Sequence, residues 1–432
     1  MLDERIEKIM KDANALFRKL NKIEKFTDKY NLTPSREVHR VIGIMQSIAA
    51  DIPHISNPQN LEQLLQSELK KRLIGEAVYL DQRVNGKLYD FNTMVSILGI
   101  PQEDIHSLRP WLEENKEKTQ DAVERLFHSK DIEEYELPLA ADIPSVRRQV
   151  EEFAGAHIQR YHKAIGKFLQ GRTQVGEYLR DINAVPTTQD RSYFNQLTNT
   201  LALSIPRICF SKEDGTLHMR DKELIRLYGH EGMGHALNFV VTRSHNLDYF
   251  LKHASILTVS TAESVAQFYE NVLLEDLKKS PETQRALNIE HIFAEIYQEA
   301  KDTEQLEEYK KRIFQYGISV LADKSFGKSE DSEVIKKKTE LLNEVSIDKS
   351  SVQYLMQQTR RYFDSEGNLD YQIVGELRYC ARPVQRALEE FAKKGIDYND
   401  EKGRSMIDTT FLKGLWTPIG FVDNARIRAE SK

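Results

Sequence analysis

Apolar residues in this chain recur at helical spacing almost from end to end, and that periodicity constrains the fold more than any other feature. In the first such stretch, residues 2–26, Ile6, Ile9, Met10, Leu16, Phe17 and Leu20 fall near i, i+3, i+4 and i+7 between charged positions. Comparable patterns cover roughly 35–50, 60–83, 103–127, 145–170, 221–242, 260–278, 282–301, 303–321 and 332–345. A last helical region, about 350–394, is interrupted near Asp364-Ser-Glu-Gly-Asn368 and again at Pro383. The expected fold class is therefore mostly α, an elongated multi-helix architecture. There is no internal repeat and no low-complexity tract.

Two stretches depart from the helical pattern. Residues 129–144, SKDIEEYELPLAADIP, carry two prolines and no apolar stripe, which places a candidate boundary there. It separates an N-terminal helical region, 1–144, from a second region, 145–432. Residues 199–219 hold the main β signal: LALSIPRICF, then Lys212-Glu-Asp-Gly215, then TLHM, as two short strands joined by a turn. Pro206 suggests an edge strand, because proline cannot donate to a central ladder. A small antiparallel β edge is thus expected just before the helix at 221. It is either a ribbon packed on helices or an open edge that pairs with an extended peptide.

Composition narrows the chemistry. The net charge of -6 gives no basic surface for nucleic acid or for an anionic membrane, so neither is expected as a partner. No run approaches the roughly 18 apolar residues of a membrane span. The first residues, MLDERIEKIMKDANALF, lack the apolar stretch of a secretory signal. Only Cys209 and Cys380 occur, far apart, and a large chain without a disulfide framework is expected to be cytoplasmic. Two cysteines are also too few for a thiolate zinc site, so any metal must use histidine and carboxylate.

Such a set stands in the segment KELIRLYGHEGMGHALNFV, whose start Asp221 is placed to cap. His230, Glu231 and His235 fall within six residues. Zinc takes neutral imidazole well, and an adjacent glutamate can act as general base on the attacking water. Histidines four apart share a helix face, but these are five apart, about 140° round an ideal helix. A π-type bulge would absorb the extra residue. Gly232 and Gly234 each cost about 1 kcal/mol against alanine inside a helix, which fits a backbone that must deviate. A third ligand is required, because catalytic zinc keeps three protein ligands and an open position. The downstream helix ILTVSTAESVAQFYENVLLEDL offers Glu263 and Glu270, seven apart and near one face. For Glu263 a competing reading is open: Ser260-Thr-Ala-Glu263 is a capping box with Ser260 at the N-cap, which would spend the carboxylate on backbone amides.

These residues resemble the gluzincin peptidases, in which HExxH on one helix is followed by a glutamate ligand on the next. Glu263-Ser264 through Tyr269-Glu270-Asn271 is similar to the HES…WEN segment of the carboxypeptidase Taq family, within the thimet oligopeptidase-like superfamily. It also resembles the EGWALYAE segment of a related bacterial family that reads HExxPGHH at its histidines. Tyr371-Gln-Ile-Val-Gly375-Glu376-Leu377 resembles that family's YKIGE segment, and Leu412-Lys-Gly414…Pro418 its terminal L…G…P. The spacing HExxGH matches dipeptidyl peptidase III, although that family's EECRAES is only partly present, as Ala262-Glu263-Ser264. The resemblance spans roughly 195–425 and is strong only at the metal motif. It implies a helical metallopeptidase that uses one zinc ion and cleaves peptides. His230, His235 and Glu263 would be the ligands, Glu231 the general base that also protonates the leaving amine, and Glu270 the group orienting a ligand histidine. Tyr371 would donate to the oxyanion, although it lies four before Gly375 where the family tyrosine lies three before. The N-terminal helical region would cover the cleft and restrict it to short peptides.

Rival readings have less to stand on. A di-iron bundle wants two Glu-x-x-His pairs, and only Glu103-Asp-Ile-His106 is present. There is no G-x-S-x-G elbow and no phosphate-binding glycine loop. Hydrolysis of a non-peptide amide at the same site stays open, as does a helical scaffold carrying a degenerate metal site.

Overall fold

The computed structural model describes residues 4–30, 36–85, 88–128, 144–170, 174–195, 197–212, 214–322, 332–347, 352–353, 356, 377 and 381–431. The fold is mostly α. Helices α1 (Glu4–Tyr30), α2 (Arg36–Asp51) and α3 (Leu61–Asn85) come first, then α4 (Phe91–Ile97), α5 (Gln102–His106), α6 (Leu108–His128) and α7 (Pro144–Gln170). After the strands and the helix they support come α11 (Ile256–Lys278), α12 (Pro281–Leu287), α13 (Phe293–Leu321), α14 (Ser332–Val345), α15 (Pro383–Ala392), α16 (Glu401–Leu412) and α17 (Pro418–Glu430). The two stripes at 282–301 and 303–321 resolve into short α12 and long α13. Asn288, at φ 62, ends α12 in the left-handed conformation that asparagine tolerates. No helix among the described residues is long and apolar enough to cross a membrane.

Between α7 and α11 lie five short strands and the helix that carries the histidines. β1 (Asn183–Thr187) pairs parallel with β3 (Thr200–Ser204), and β2 (Tyr193–Asn195) pairs antiparallel with β3 in the order β1-β3-β2. β4 (Cys209–Ser211) and β5 (Leu217–Met219) form a separate antiparallel ribbon. The expected β edge is present, but Pro206 is not in it. The chain leaves β3 into a single helical turn, α8 (Ile205–Ile208), and Pro206 sits in its first turn. Proline is tolerated there because that amide has no helical acceptor. The edge beside the histidine helix is β2 instead.

Two cores hold these layers. The larger draws on α1 to α3 (Phe17, Met45, Leu73), on β3 (Leu201, Leu203) and on the histidine helix (Leu224, Leu227, Met233), and reaches Phe411 and Phe421 in α16 and α17. The smaller gathers Met94, Leu108, Leu112, Tyr309, Ile318 and Leu342 from α4, α6, α13 and α14. Within the larger one, α3 buries three charged residues on one face, Glu68, Arg72 and Glu76, each 0% exposed. Unpaired, such groups would cost several kcal/mol. Arg72 donates to the carbonyls of Phe250, His253 and Leu415. Glu68 accepts the Thr417 amide at 2.7 Å and its hydroxyl at 2.6 Å. The loop before α11 and the turn before α17 are thereby tied to α3.

Candidate metal centre

The histidines lie on one continuous helical path of three parts. α9 (Asp221–Leu227) leads into a π-helical segment (Tyr228–Ala236), which continues as α10 (Leu237–Ser244). Asp221 does not cap this path, contrary to the sequence expectation. It is the first helical residue, Arg220 occupies the cap, and the Tyr161 hydroxyl of α7 donates to the Asp221 carboxylate at 2.6 Å. The acid is spent on packing α9 against α7 and still suits the positive end of a helix.

The expected backbone deviation is a full π segment. With hydrogen bonds from i to i+5, a residue five along stands where a residue four along stands in an α-helix. His230 and His235 accordingly share a face, their ring centroids 5.0 Å apart and their planes at 85°. Gly229 and Gly234 serve a further purpose, close packing. None of Gly229, Gly232 and Gly234 has positive φ. A Cβ on Gly234 would lie 2.3 Å from the Ala266 Cα, and one on Gly229 would lie 2.7 Å from the Glu270 Cα. They let the π segment lie directly on the backbone of α11.

That contact sets the third residue in place. α11 begins five residues earlier than expected, at Ile256, with Ser255 as N-cap and Thr258 completing the capping box. Ser260 is therefore inside the helix, its hydroxyl buried without a partner, and it caps nothing. Glu263 is free of the amides and turns to the histidines. Its Oε2 is 3.4 Å from His230 Nε2 and its Oε1 is 3.4 Å from His235 Nε2. Among the described residues this is the one group of three side chains able to hold a metal ion, with donor atoms within 4.8 Å of one another. Glu270, two turns on, places Oε2 3.4 Å from His230 Nδ1, on the ring's other nitrogen. That nitrogen is buried and makes no well-directed hydrogen bond.

The electrostatics follow from this crowding. Burial opposes charge on His230, but Glu263 and Glu270 outweigh it and raise the imidazole to about 9. Burial likewise works against the Glu263 carboxylate, yet the two imidazoles hold it below the usual carboxyl range. Glu231 is raised, chiefly by burial and against the pull of both histidines. A cavity of about 450 Å³ meets the cluster at His230 and Glu270, with Trp111 of α6, Arg226 of α9, Arg312 of α13 and Arg382 on its walls. β2 packs against the π segment, and Phe194 stacks on Phe239 of α10 with ring centroids 6.2 Å apart.

Other sequence candidates fall elsewhere. Tyr371 lies outside the described residues. Glu103 and His106 are both exposed on α5, with no second pair beside them among the described residues. Cys209 is buried, its thiol pushed up to about 12 by that burial, which leaves it inert as a nucleophile. Sequence reasoning missed Arg226, whose guanidinium lies 3.9 Å from Glu270 Oε2, and Gly229. Gly229 stands one residue before the motif and could have been noticed. The contact of Arg226 with Glu270 crosses to another helix, so local spacing carries no trace of it. Comparison with family models, curated proteins and solved structures returned no match.

Proposed function

We propose that this chain is a zinc-dependent peptidase that acts on short peptides in the cytoplasm, with His230, His235 and Glu263 holding the ion. The observation that carries the reading is the donor spacing. Nitrogen–oxygen distances of 3.4 Å exceed those of ordinary hydrogen bonds. Each imidazole meets a different oxygen of Glu263, and one donor atom from each of the three side chains lies within 4.8 Å of the others, close enough for the three to share one ion. Two imidazoles and one carboxylate are also a donor set that catalytic zinc uses. When bound, zinc supplies a Lewis acid that polarises a carbonyl and makes water acidic near neutral pH.

The chain's own groups account for the remaining steps. Glu231 accepts a proton from the attacking water at its carboxylate and returns it to the departing amine nitrogen. Glu270 lies 3.4 Å from His230 Nδ1, where its charge would favour a proton on that nitrogen and leave the lone pair of the opposite one toward Glu263 and His235. β2 offers a strand edge on which an extended substrate could lie. The resemblance assigns oxyanion stabilisation to Tyr371. Trp111 of α6 walls the cavity beside His230 and Glu270, which supports a share for the N-terminal helices in shaping that approach.

The test is zinc content together with one substitution. Purified protein should carry about one zinc per chain and cleave members of an octapeptide library. Glu231→Gln should abolish cleavage and keep the zinc, because it removes the base and no donor. Absence of zinc after incubation would leave a scaffold reading. Zinc without peptide cleavage would leave hydrolysis of another amide.

A further inference from the structure

The structure assigns to Arg226 a positioning role: it anchors Glu270, and Glu270 in turn fixes the His230 ring. This rests on the proposed zinc site. Arg226 stands four residues before His230, on the α9 turn that enters the π segment. Its guanidinium is gripped on two prongs by Glu223, Nε to Oε2 at 2.9 Å and Nη2 to Oε1 at 2.8 Å. The same Glu223 oxygen receives Arg207 of α8 at 2.8 Å. Glu223 therefore holds two arginines, and the remaining prong of Arg226, Nη1, faces Glu270 Oε2 at 3.9 Å. That is the oxygen 3.4 Å from His230 Nδ1. The relay passes from α8 to α9, crosses to α11 and returns to the π segment.

Each member has a physical reason to be there. A ligand imidazole must present one nitrogen to the ion, and the partner of its other nitrogen decides which one. Glu270 borders a cavity, so water can reach it. A fixed cation beside it limits its rotation. Arginine suits the task because its planar fork can grip Glu223 with one edge while directing another N–H elsewhere. The Arg226 side chain is only 15% exposed, so little of the interaction is lost to solvent.

The test is a zinc-affinity cycle on the full chain, read by competition with a chromogenic chelator. The wild-type protein must first bind one zinc; if it binds none, the proposed site fails and this inference with it. Given binding, Glu270→Gln and Arg226→Met should each weaken affinity about tenfold, in the range for groups that orient metal ligands. Arg226→Lys should fall between Arg226→Met and the wild type. If Arg226 acts through Glu270, Arg226→Met in the Glu270→Gln background should cost less than about twofold more. Unchanged affinity in Arg226→Met, or losses that multiply in the double variant, would overturn the inference while leaving the zinc site intact. Should Arg226→Met fail to fold, the cycle with Arg226→Lys makes the same comparison.

Discussion

Helix α11 carries a polar cluster on each of two faces, and they are built differently. Toward the π segment, Glu263 and Glu270 meet imidazoles at 3.4 Å. On the other face the Tyr269 hydroxyl donates to Asp408 Oδ1 at 2.7 Å, and the Tyr398 hydroxyl donates to the same oxygen at 3.0 Å. Arg404 beside them grips Asp276 at 3.0 and 3.1 Å. A cluster that serves only the fold can close to hydrogen-bond contact, as this second one does. At the first, Gly229 and Gly234 seat one backbone directly on another. Protonation differs too. Burial pushes the Asp408 carboxyl up to about 6 against the hydrogen bonds of both tyrosines and the charge of Arg404, with Asp276 adding to the rise. Glu263, facing groups that can carry positive charge, is pushed the other way.

The contrast can be broken most sharply at the open face. His235→Ala should remove stoichiometric zinc, and with it the stabilisation that zinc confers on the wild type, about 2.7 kcal/mol at a hundredfold excess over Kd. Equal melting temperatures with zinc and with chelator in the wild type would sink the distinction. Next in size, Gly234→Ala should cost about 3 kcal/mol in denaturant unfolding, because its Cβ would meet the Ala266 backbone, which cannot yield as a side chain could. A near-neutral result would show that the two backbones are not seated so closely there.

The closed face yields smaller effects. Asp408 holds its proton more tightly folded than unfolded, about 6 against a usual value of 3.8. Its contribution to stability is thus complete below about pH 4 and lost as pH rises through 6, a fall of about 2–3 kcal/mol. Asp408→Asn should flatten that slope, and an unchanged pH profile would contradict the burial argument. Smallest of all, Tyr398→Phe should cost about 1 kcal/mol without altering zinc affinity, because Tyr269 still donates to the carboxylate.

Much of this arrangement is legible in the chain. Helical periodicity gives the class, and a five-residue histidine spacing with an intervening glutamate calls for the π segment that is present. What escapes is what depends on neighbours. The start of α11 is hidden because its capping box, Ser255 with Thr258, lacks the glutamate that marks such boxes, while Ser260 and Glu263 imitate one. Gly232 and Gly234 look like backbone hinges until α11 is seen lying across Gly234. β1 and β2 are five and three residues long, too short for alternation to show. Pro206 marks a break in extended structure correctly, but one helical turn satisfies it as well as a sheet edge does.

The charged face of α3 has a consequence for how the molecule can be divided. Arg72 and Glu68 satisfy backbone groups at 250, 253, 415 and 417, positions that flank the start of α11 and of α17. A shortened chain beginning after α3 would leave three carbonyls and an amide stranded in an apolar interior, next to the helix that bears Glu263. Helix α3 therefore acts as a clamp on the segments that lead into α11 and α17, and it cannot be trimmed away as an appendage.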